Sequence, residues 1–582
     1  MLFHSRRDRV YWKACNKVHT DVNIAEIQRI PLCSPYFRRQ VETFLATNGL
    51  RLENVDEYYC GIREDGSIAD GAGLSGDLVK CVAVDPSERS QGLLTPLISH
   101  LVSVASTKGV TNLKVFTKPS NEPIFQSLGF HVIARAPLAV LMENGRGLQE
   151  YISYLRGLRR PGDNGVIVMN ANPFTFGHRY LVEKALERVD HLFVIPVKEE
   201  NIFPYSERLE MIRSGVASFG DRVTVADGSA YCISDATFPT YFLKELSDVS
   251  ETQMRLDVNL FRAHIAPALG ASTRFVGTEP SDPLTARYNE ILQESMPGQV
   301  FEIPRLEGIS ASSVRRGLDE GSFLAASRLT PASTHPYLLA SLAARALRLE
   351  LDTPLKPGLV CPDSAGAHKD MDYSLMLKGI AAIRPFFPNM AMAGSPDELR
   401  LLGIDAEKAM LAATGGVNTH RGAIFALGLA LAAAGSAMGR DLEVAEYERF
   451  VQSRIVELAR AIVGKDLIDN NLRITLTPVR GAREMALGGY KELFEDWLPY
   501  YRAQGLQKTL LRIMSTLDDT CVIHRAGSER AKEVKDEARR LLDGFSEEGL
   551  KEMKARHDAE GISPGGAADM LALTIFMDTL IN

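Results

Sequence analysis

Hydrophobic positions along this chain follow two regimes. In the first half, short apolar runs at 79–84, 113–116, 166–169, 191–197, 223–225 and 274–277 have the length and continuity of buried strands. Stretches with apolar residues three or four apart lie between them. Leu181, Val182, Ala185, Leu186 and Val189, with Glu183, Lys184, Glu187 and Arg188 interspersed, form the clearest helical stripe. Segments 34–45, 121–130 and 209–216 read as further helices, and a helix follows the 85–98 loop through 105. Residues 1–75 otherwise carry little pattern. Strands alternating with helices predict α/β architecture, doubly wound over 160–325, with its site at the carboxyl ends of the strands. From 335 onward helix-like segments dominate, at 336–349, 373–382, 399–412, 423–437, 443–463, 490–504, 507–517, 530–542 and 564–579. Strand candidates are few there, which predicts an all-α domain. Stretches 157–164 and 323–335 read as linkers. The expected organisation is therefore multidomain, with domains at 1–150, 160–325 and 335–582.

Composition narrows this picture. A chain of 582 residues is too long for one core, and 45% apolar with 24% charged residues is ordinary for a soluble globular protein. A formal net charge of −7 argues against wholesale binding of nucleic acid or anionic membrane. Cys15, Cys33, Cys60, Cys81, Cys232, Cys361 and Cys521 are scattered without metal-ligand or C-x-x-C spacing, so neither a zinc site nor a disulfide framework is indicated. The uncharged run 422–439 is long enough to span a bilayer. It is mostly Ala and Gly, which pack helices closely, and is expected to be a buried central helix of the helical domain. No apolar leader opens the chain, and a cytoplasmic protein is expected.

Candidate chemistry starts at Asn170-Ala-Asn-Pro-Phe-Thr-Phe-Gly-His-Arg-Tyr-Leu-Val-Glu-Lys-Ala185, between the 166–169 strand and the 181–189 stripe. Pro173 bars the strand from continuing, and Gly177 lets backbone approach a ligand. The N–H groups and dipole of the new helix then suit an anion. His178, in the first turn, can donate to a phosphate oxygen and steady transition-state charge. Ile309-Ser-Ala-Ser-Ser-Val-Arg315 opens another helix and suits a second phosphate site. Arg315 is assigned to phosphate. Arg208 is either a solvated surface residue or a phosphate contact, and Lys198 is a weaker candidate of that kind.

The Asn-x-Asn-Pro-Phe-Thr-x-Gly-His pattern resembles the T/H-x-G-H motif of nucleotidylyltransferases, and 309–315 resembles that superfamily's I-S-S-T-x-V-R motif. The resemblance implies ATP and phosphate binding by Asn172, Thr175, Gly177, His178, Arg208, Ser310, Ser312 and Arg315, with His178 catalytic. Residues 1–150 resemble the acetyltransferase fold that binds acyl-CoA. Arg89-x-x-Gly92 matches its pyrophosphate loop up to Leu94, and Phe125 with Leu128-Gly-Phe130 matches its later motif. Together, residues 1–325 resemble the citrate lyase ligase family. That family activates acetate with ATP to acetyl-AMP and passes the acetyl group to the prosthetic-group thiol of the citrate lyase acyl-carrier subunit.

Five polar clusters interrupt the helical half: 356–372, 414–422, 480–484, 517–527 and 563–569. Each alone reads as a cap or turn. Together they fit converging phosphate and metal sites, with carboxylates for Mg²⁺ and Gly, Lys, Arg and His for phosphate. The phrases Lys356-Pro-Gly-Leu-Val, Gly-Ala-His-Lys-Asp-Met-Asp372 and Thr414-Gly-Gly-Val-Asn-Thr-His420 resemble the triphosphoribosyl-dephospho-CoA synthase family over nearly all of 335–582. Cys361 stands where that family often has an acidic residue, with Asp363 nearby. The resemblance implies ATP and 3′-dephospho-CoA as substrates, adenine as leaving group, and a base, a proton donor and Mg²⁺ in the site. Candidate metal ligands are Asp370, Asp372, Asp518 and Asp519, the first three also candidate catalytic groups. Lys356, His368, Gly415, Gly416, His420, Arg483, Gly565 and Gly566 are the phosphate candidates. The expected protein is thus a bifunctional enzyme of citrate lyase maturation. The alternative is a synthase serving another carrier protein, such as that of malonate decarboxylase, behind a front half of different adenylyltransferase specificity.

Overall fold

The computed structural model describes residues 26–89, 92–233, 247–280, 282–440, 442–469 and 482–581. The chain forms two compact units. The first comprises Met1–Asn170, Leu181–Glu199 and Phe219–Arg305; the second comprises Ala171–Tyr180, Glu200–Ser218 and Leu306–Asn582.

The first unit holds two sheets. Strands β1 (Glu26–Ile30), β2 (Glu57–Ile62), β3 (Ile68–Ser75), β4 (Leu78–Val84), β5 (Lys114–Thr117), β6 (His131–Ala136) and β7 (Ala139–Glu143) pair in the order β1-β2-β3-β4-β5-β7-β6. All pairs are antiparallel except β4 with β5, which run parallel through Leu78–Lys114 and Val79–Val115. Three of these strands lie in the stretch that showed little pattern. β3 reads Ile-Ala-Asp-Gly-Ala-Gly-Leu-Ser and is buried along its middle on both faces, so no alternation marks it. The helix Leu94–Thr107 buries Leu97, Ile98, Leu101 and Ala105, the 3.6-residue stripe expected of it.

The second sheet is fully parallel. Strands β8 (Asn164–Met169), β9 (His191–Pro196), β10 (Val223–Val225), β11 (Ala271–Gly277) and β12 (Val300–Ile303) lie in the order β10-β9-β8-β11-β12. Strand order reverses between β8 and β11, the place where doubly wound sheets change direction. β12, exposed at Glu302, and the helix Asp248–Leu260 carry weak patterns and were not expected. The 157–164 linker is short: the helix Gly147–Leu158 ends inside it and β8 starts at its last residue.

The second unit is helical beyond residue 306. Its centre is the helix Arg421–Gly435, buried continuously from Ala426 to Gly435. Around it pack His335–Asp352, Phe387–Met392, Pro396–Ala413, Val444–Asp469 and Gly565–Ile581. Apolar residues on every face fit a helix enclosed by others. Among the described residues no helix is long and apolar enough to cross a membrane. Gly435 is required here: a Cβ on it would stand 1.7 Å from the Ala391 carbonyl oxygen. The 530–542 segment belongs to a longer helix, Thr520–Asp543, kinked at Gly527. The helix Glu547–Glu560, too charged to show a stripe, escapes sequence reading and buries only Leu550, Met553 and His557. Within the 323–335 linker, Phe323–Ser327 is a short helix capped by Ser322.

Candidate active sites

The 170–185 segment folds as a buried loop, Ala171 to Thr175, followed by the helix Phe176–Leu186. Thr175 caps that helix, its hydroxyl accepting the His178 N–H at 3.4 Å. The Thr175 N–H in turn donates to His178 Nδ1 at 3.0 Å, and the Thr175 hydroxyl lies 2.8 Å from the same nitrogen. Nδ1 is therefore an acceptor, and the neutral ring carries its proton on Nε2. Phe174 stacks on the imidazole, with centroids 5.6 Å apart. Asn172 is buried and accepts the Phe203 N–H at 3.3 Å. A Cβ on Gly177 would make only ordinary contacts with Thr175 and Ile309, so the protein's own packing does not demand glycine there.

Arg315 comes from the first turns of Ala311–Asp319, a helix capped by Ser310. Its guanidinium donates to the Asn172 carbonyl and, at 3.2 Å, to Ser312 Oγ. The two sequence-remote motifs are thus brought together. Burial makes the Arg315 cation less favourable than usual. Arg208 is fully buried, with Nε donating to the Phe203 carbonyl at 3.2 Å, which removes the solvated-surface reading. Its neighbour Glu207 is buried too, paired with Arg384 at 3.2 Å, and burial pushes its carboxyl up to about 7 against the pull of that cation.

The helical domain contains a cavity of about 350 Å³. Lys356, His368, His420 and Gly565, all expected phosphate contacts, line it, as do Arg421 and Arg525. Two carboxylates not among the candidate site residues line it as well: Glu350, and Asp569, which closes the 563–569 cluster. Glu350 and Lys356 form a buried pair, in which Lys356 also donates to the Glu350 carbonyl at 2.8 Å. Burial raises the Glu350 carboxyl while Lys356 pulls it down. His420 Nδ1 lies 2.8 Å from Thr419 Oγ1, and burial, with Lys356 adding to it, pushes the ring down to about 4. Arg525 donates to His368 Nδ1 at 3.4 Å and Ser563 Oγ lies 2.8 Å from Nε2, so Nε2 holds the proton. Neutral histidines among Lys and Arg make a lining suited to a polyanion.

The four-aspartate metal set is not assembled. Asp372 is exposed and caps the helix Tyr373–Ile383 through the Leu375 N–H. Asp518 is half-exposed and pairs with Lys535 at 2.8 Å. Asp519 is buried with one oxygen accepting the Cys521 N–H and the other the Ala567 N–H, both at 2.8 Å. Asp370 is exposed, 3.9 Å from His368. Among the described residues no three His, Cys, Asp or Glu side chains are placed to share a metal ion. These side chains act as caps and surface partners, and a resident Mg²⁺ does not fit them. Gly415 and Gly416 are exposed at the end of the helix Pro396–Ala413, Arg483 is exposed on Ala482–Leu487, and Gly566 lies against Asp519; none of the four lines the cavity.

Glu350 could have been found from its phase: with Leu339, Ala343 and Ala346 it occupies the apolar stripe of His335–Asp352. Asp569 carried a comparable signal, since it and Asp578 are the only charges on Gly565–Ile581.

The chain thus carries two candidate sites, a capped histidine loop that follows a strand of a parallel α/β sheet and a cationic cavity in a helix bundle. Comparison with known proteins is specific. Residues 164–338 match the model of the citrate lyase ligase C-terminal domain, and 336–582 match that of the ATP:dephospho-CoA triphosphoribosyl transferase. The [citrate [pro-3S]-lyase] ligase of Haemophilus influenzae is 42% identical over 315 residues, spanning 51% of this chain and 94% of that one. The ligase of Klebsiella pneumoniae is 39% identical over 54% of this chain and 96% of its own. The probable 2-(5''-triphosphoribosyl)-3'-dephosphocoenzyme-A synthase of Azotobacter vinelandii is 37% identical over 41% of this chain and 90% of its own. The chain belongs to the citrate lyase ligase family through its first half and to the triphosphoribosyl-dephospho-CoA synthase family through its second. It is an enzyme, a ligase fused to a transferase in citrate lyase maturation.

Proposed function

We propose that the chain performs both reactions. In the first half, acetate attacks the α-phosphorus of ATP, pyrophosphate leaves, and acetyl-AMP passes its acetyl group to the prosthetic-group thiol of the citrate lyase acyl-carrier subunit. Acetate is already a nucleophile, so the protein's task is to orient reactants and stabilise charge. His178, its proton set on Nε2 by Thr175, donates to the α-phosphate. Arg315 and the Ser310-capped helix meet the outer phosphates, and Arg208 fixes the loop at Phe203. The seven-stranded sheet, with the helix Leu94–Thr107 between its parallel strands β4 and β5, is read as acetyltransferase-like and docks the pantetheine arm; Ser90 and Gln91 of its loop lie outside the described residues.

In the helical half, the 2′-hydroxyl of 3′-dephospho-CoA attacks the ribose C1′ of ATP and adenine leaves. ATP enters as its magnesium complex, a substrate, with its triphosphate against Lys356, His368, His420 and Arg525. Asp370, 3.9 Å from His368, is the candidate aspartate that stands beside this set. The observation that carries this reading is coverage: two separate relatives are matched over 94% and 90% of their own lengths within one chain.

The test is chromatography of nucleotides from the full chain. Adenine released from ATP only when 3′-dephospho-CoA is present supports the transferase. AMP and pyrophosphate formed only with acetate, together with reactivation of deacetylated citrate lyase, support the ligase. Folded chain that yields neither refutes the proposal.

A further inference from the structure

The cavity of the helical domain holds two carboxylates with different surroundings. Glu350 is committed to Lys356. Among the described residues no cation pairs with Asp569; it accepts the Ala423 backbone N–H, in the first turn of Arg421–Gly435. Gly422 closes over it: a Cβ there would stand 1.9 Å from Asp569 Oδ2. The backbone thus fixes one carboxylate at the cavity wall, and only glycine permits that approach.

We propose that Asp569 is the catalytic base of the transferase half, an inference that rests on the reaction assigned above. Asp569 takes the proton from the 2′-hydroxyl of dephospho-CoA as that oxygen forms its bond to C1′ of ATP. The C1′–N9 bond breaks, its electron pair goes to adenine, and adenine takes a proton from water. Asp569 then returns its own proton to water, which balances the turnover. Burial and the negative charges of Glu350 and Asp519 raise the Asp569 carboxyl well above the usual range, giving a stronger proton acceptor than a solvated aspartate. Tyr490 and Cys521, also near it, are themselves raised by burial and stay protonated at neutral pH.

The test follows adenine release by the full chain across pH, with tryptophan fluorescence and the acetate-dependent reaction as folding controls. The wild type should show kcat rising with pH to a plateau. Asp569→Asn should lower kcat by about 10²–10⁴-fold and lose the rising limb, with KM for ATP within a few-fold. Asp569→Glu keeps the acid and should keep the limb at reduced kcat, which decides the matter if the Asn variant does not fold. Glu350→Gln removes a neighbouring negative charge and should move the limb to lower pH. An Asp569→Asn enzyme with a wild-type limb and more than a tenth of the rate, or a folded Asp569→Glu enzyme without the limb, overturns the assignment. A folded wild type that releases no adenine overturns the proposed reaction instead, and this inference with it.

Discussion

Replacing Lys356 by Met removes the cation from one of the most buried ion pairs of the helical half. The side chains of Lys356 and Glu350 are 2% and 7% exposed, so water cannot take over the role of the lost ammonium. Losing one partner of such a pair costs about 3–5 kcal/mol, because the other charge stays buried without compensation. Glu350 already has its carboxyl raised by burial, and removing Lys356 raises it further. A folded value above the unfolded one means stability is fully present below the unfolded value and is lost as pH rises through the folded one. The penalty of Lys356→Met should therefore be larger at pH 8 than at pH 5. Lys356→Met/Glu350→Leu should recover most of the stability, since an apolar pair can replace a buried ionic one, while adenine release stays lost in both variants. The assay is urea unfolding followed by tryptophan fluorescence. The chain has two tryptophans, so Trp12→Phe leaves only Trp497, which is buried and donates to Thr516 Oγ1 at 3.0 Å. At an m of about 2 kcal/mol/M, the midpoint should fall by about 1.5–2.5 M at pH 8. A single variant within about 0.3 M of its parent at pH 8, or one with equal penalties at both pH values, refutes the reasoning.

His178→Ala should lower acetate-dependent pyrophosphate release by about 10²–10³-fold, the usual loss for one transition-state donor, and leave adenine release intact; loss of both activities in folded protein contradicts separate sites. Glu207, lifted to about 7, contributes stability that is complete below the ordinary 4.5 and is lost as pH rises through 7. Glu207→Gln should flatten that slope in unfolding measurements between pH 5 and 8, and an unchanged slope refutes it. Gly435→Ala forces a Cβ against the Ala391 carbonyl and should destabilise the helical half by about 1–3 kcal/mol or more, read by the same Trp497 fluorescence.

What sequence could show depended on whether a residue's task leaves a local pattern. β8 and the helix after it were legible because a fully buried parallel strand is a continuous apolar run and its helix has a stripe. The crossing from strand to helix at 172–178 was legible because the proline, the glycine and the histidine that mark it are adjacent in the chain. The contact of Arg315 with Asn172 spans 143 residues and could only be expected through a resemblance. In the helical half, polar phrases marked where helices end near the cavity, but not which carboxylates face it. Asp372 and Asp519 stand in conspicuous phrases because they cap helices, a local job with a local signal. Glu350 and Asp569 sit inside helices, where tertiary packing alone decides that they meet.

The connector between the two sites has a mechanical consequence. The Leu329 carbonyl accepts the Phe176 N–H at 3.1 Å, and the Thr334 hydroxyl donates to the Phe174 carbonyl at 3.1 Å. Both bonds hold the His178 loop from the residues that lead into His335–Asp352. That helix carries Glu350 near its other end, sixteen positions from Thr334, or about 24 Å at 1.5 Å per residue. A distance of that size excludes a shared reacting group, and screening leaves little direct electrostatic coupling across it. Yet one rigid helix joins the support of the first site to the wall of the second. Substitutions in its middle should move both activities together through stability, whereas substitutions at either end should move one. The helix thus serves as a spacer between the two candidate sites.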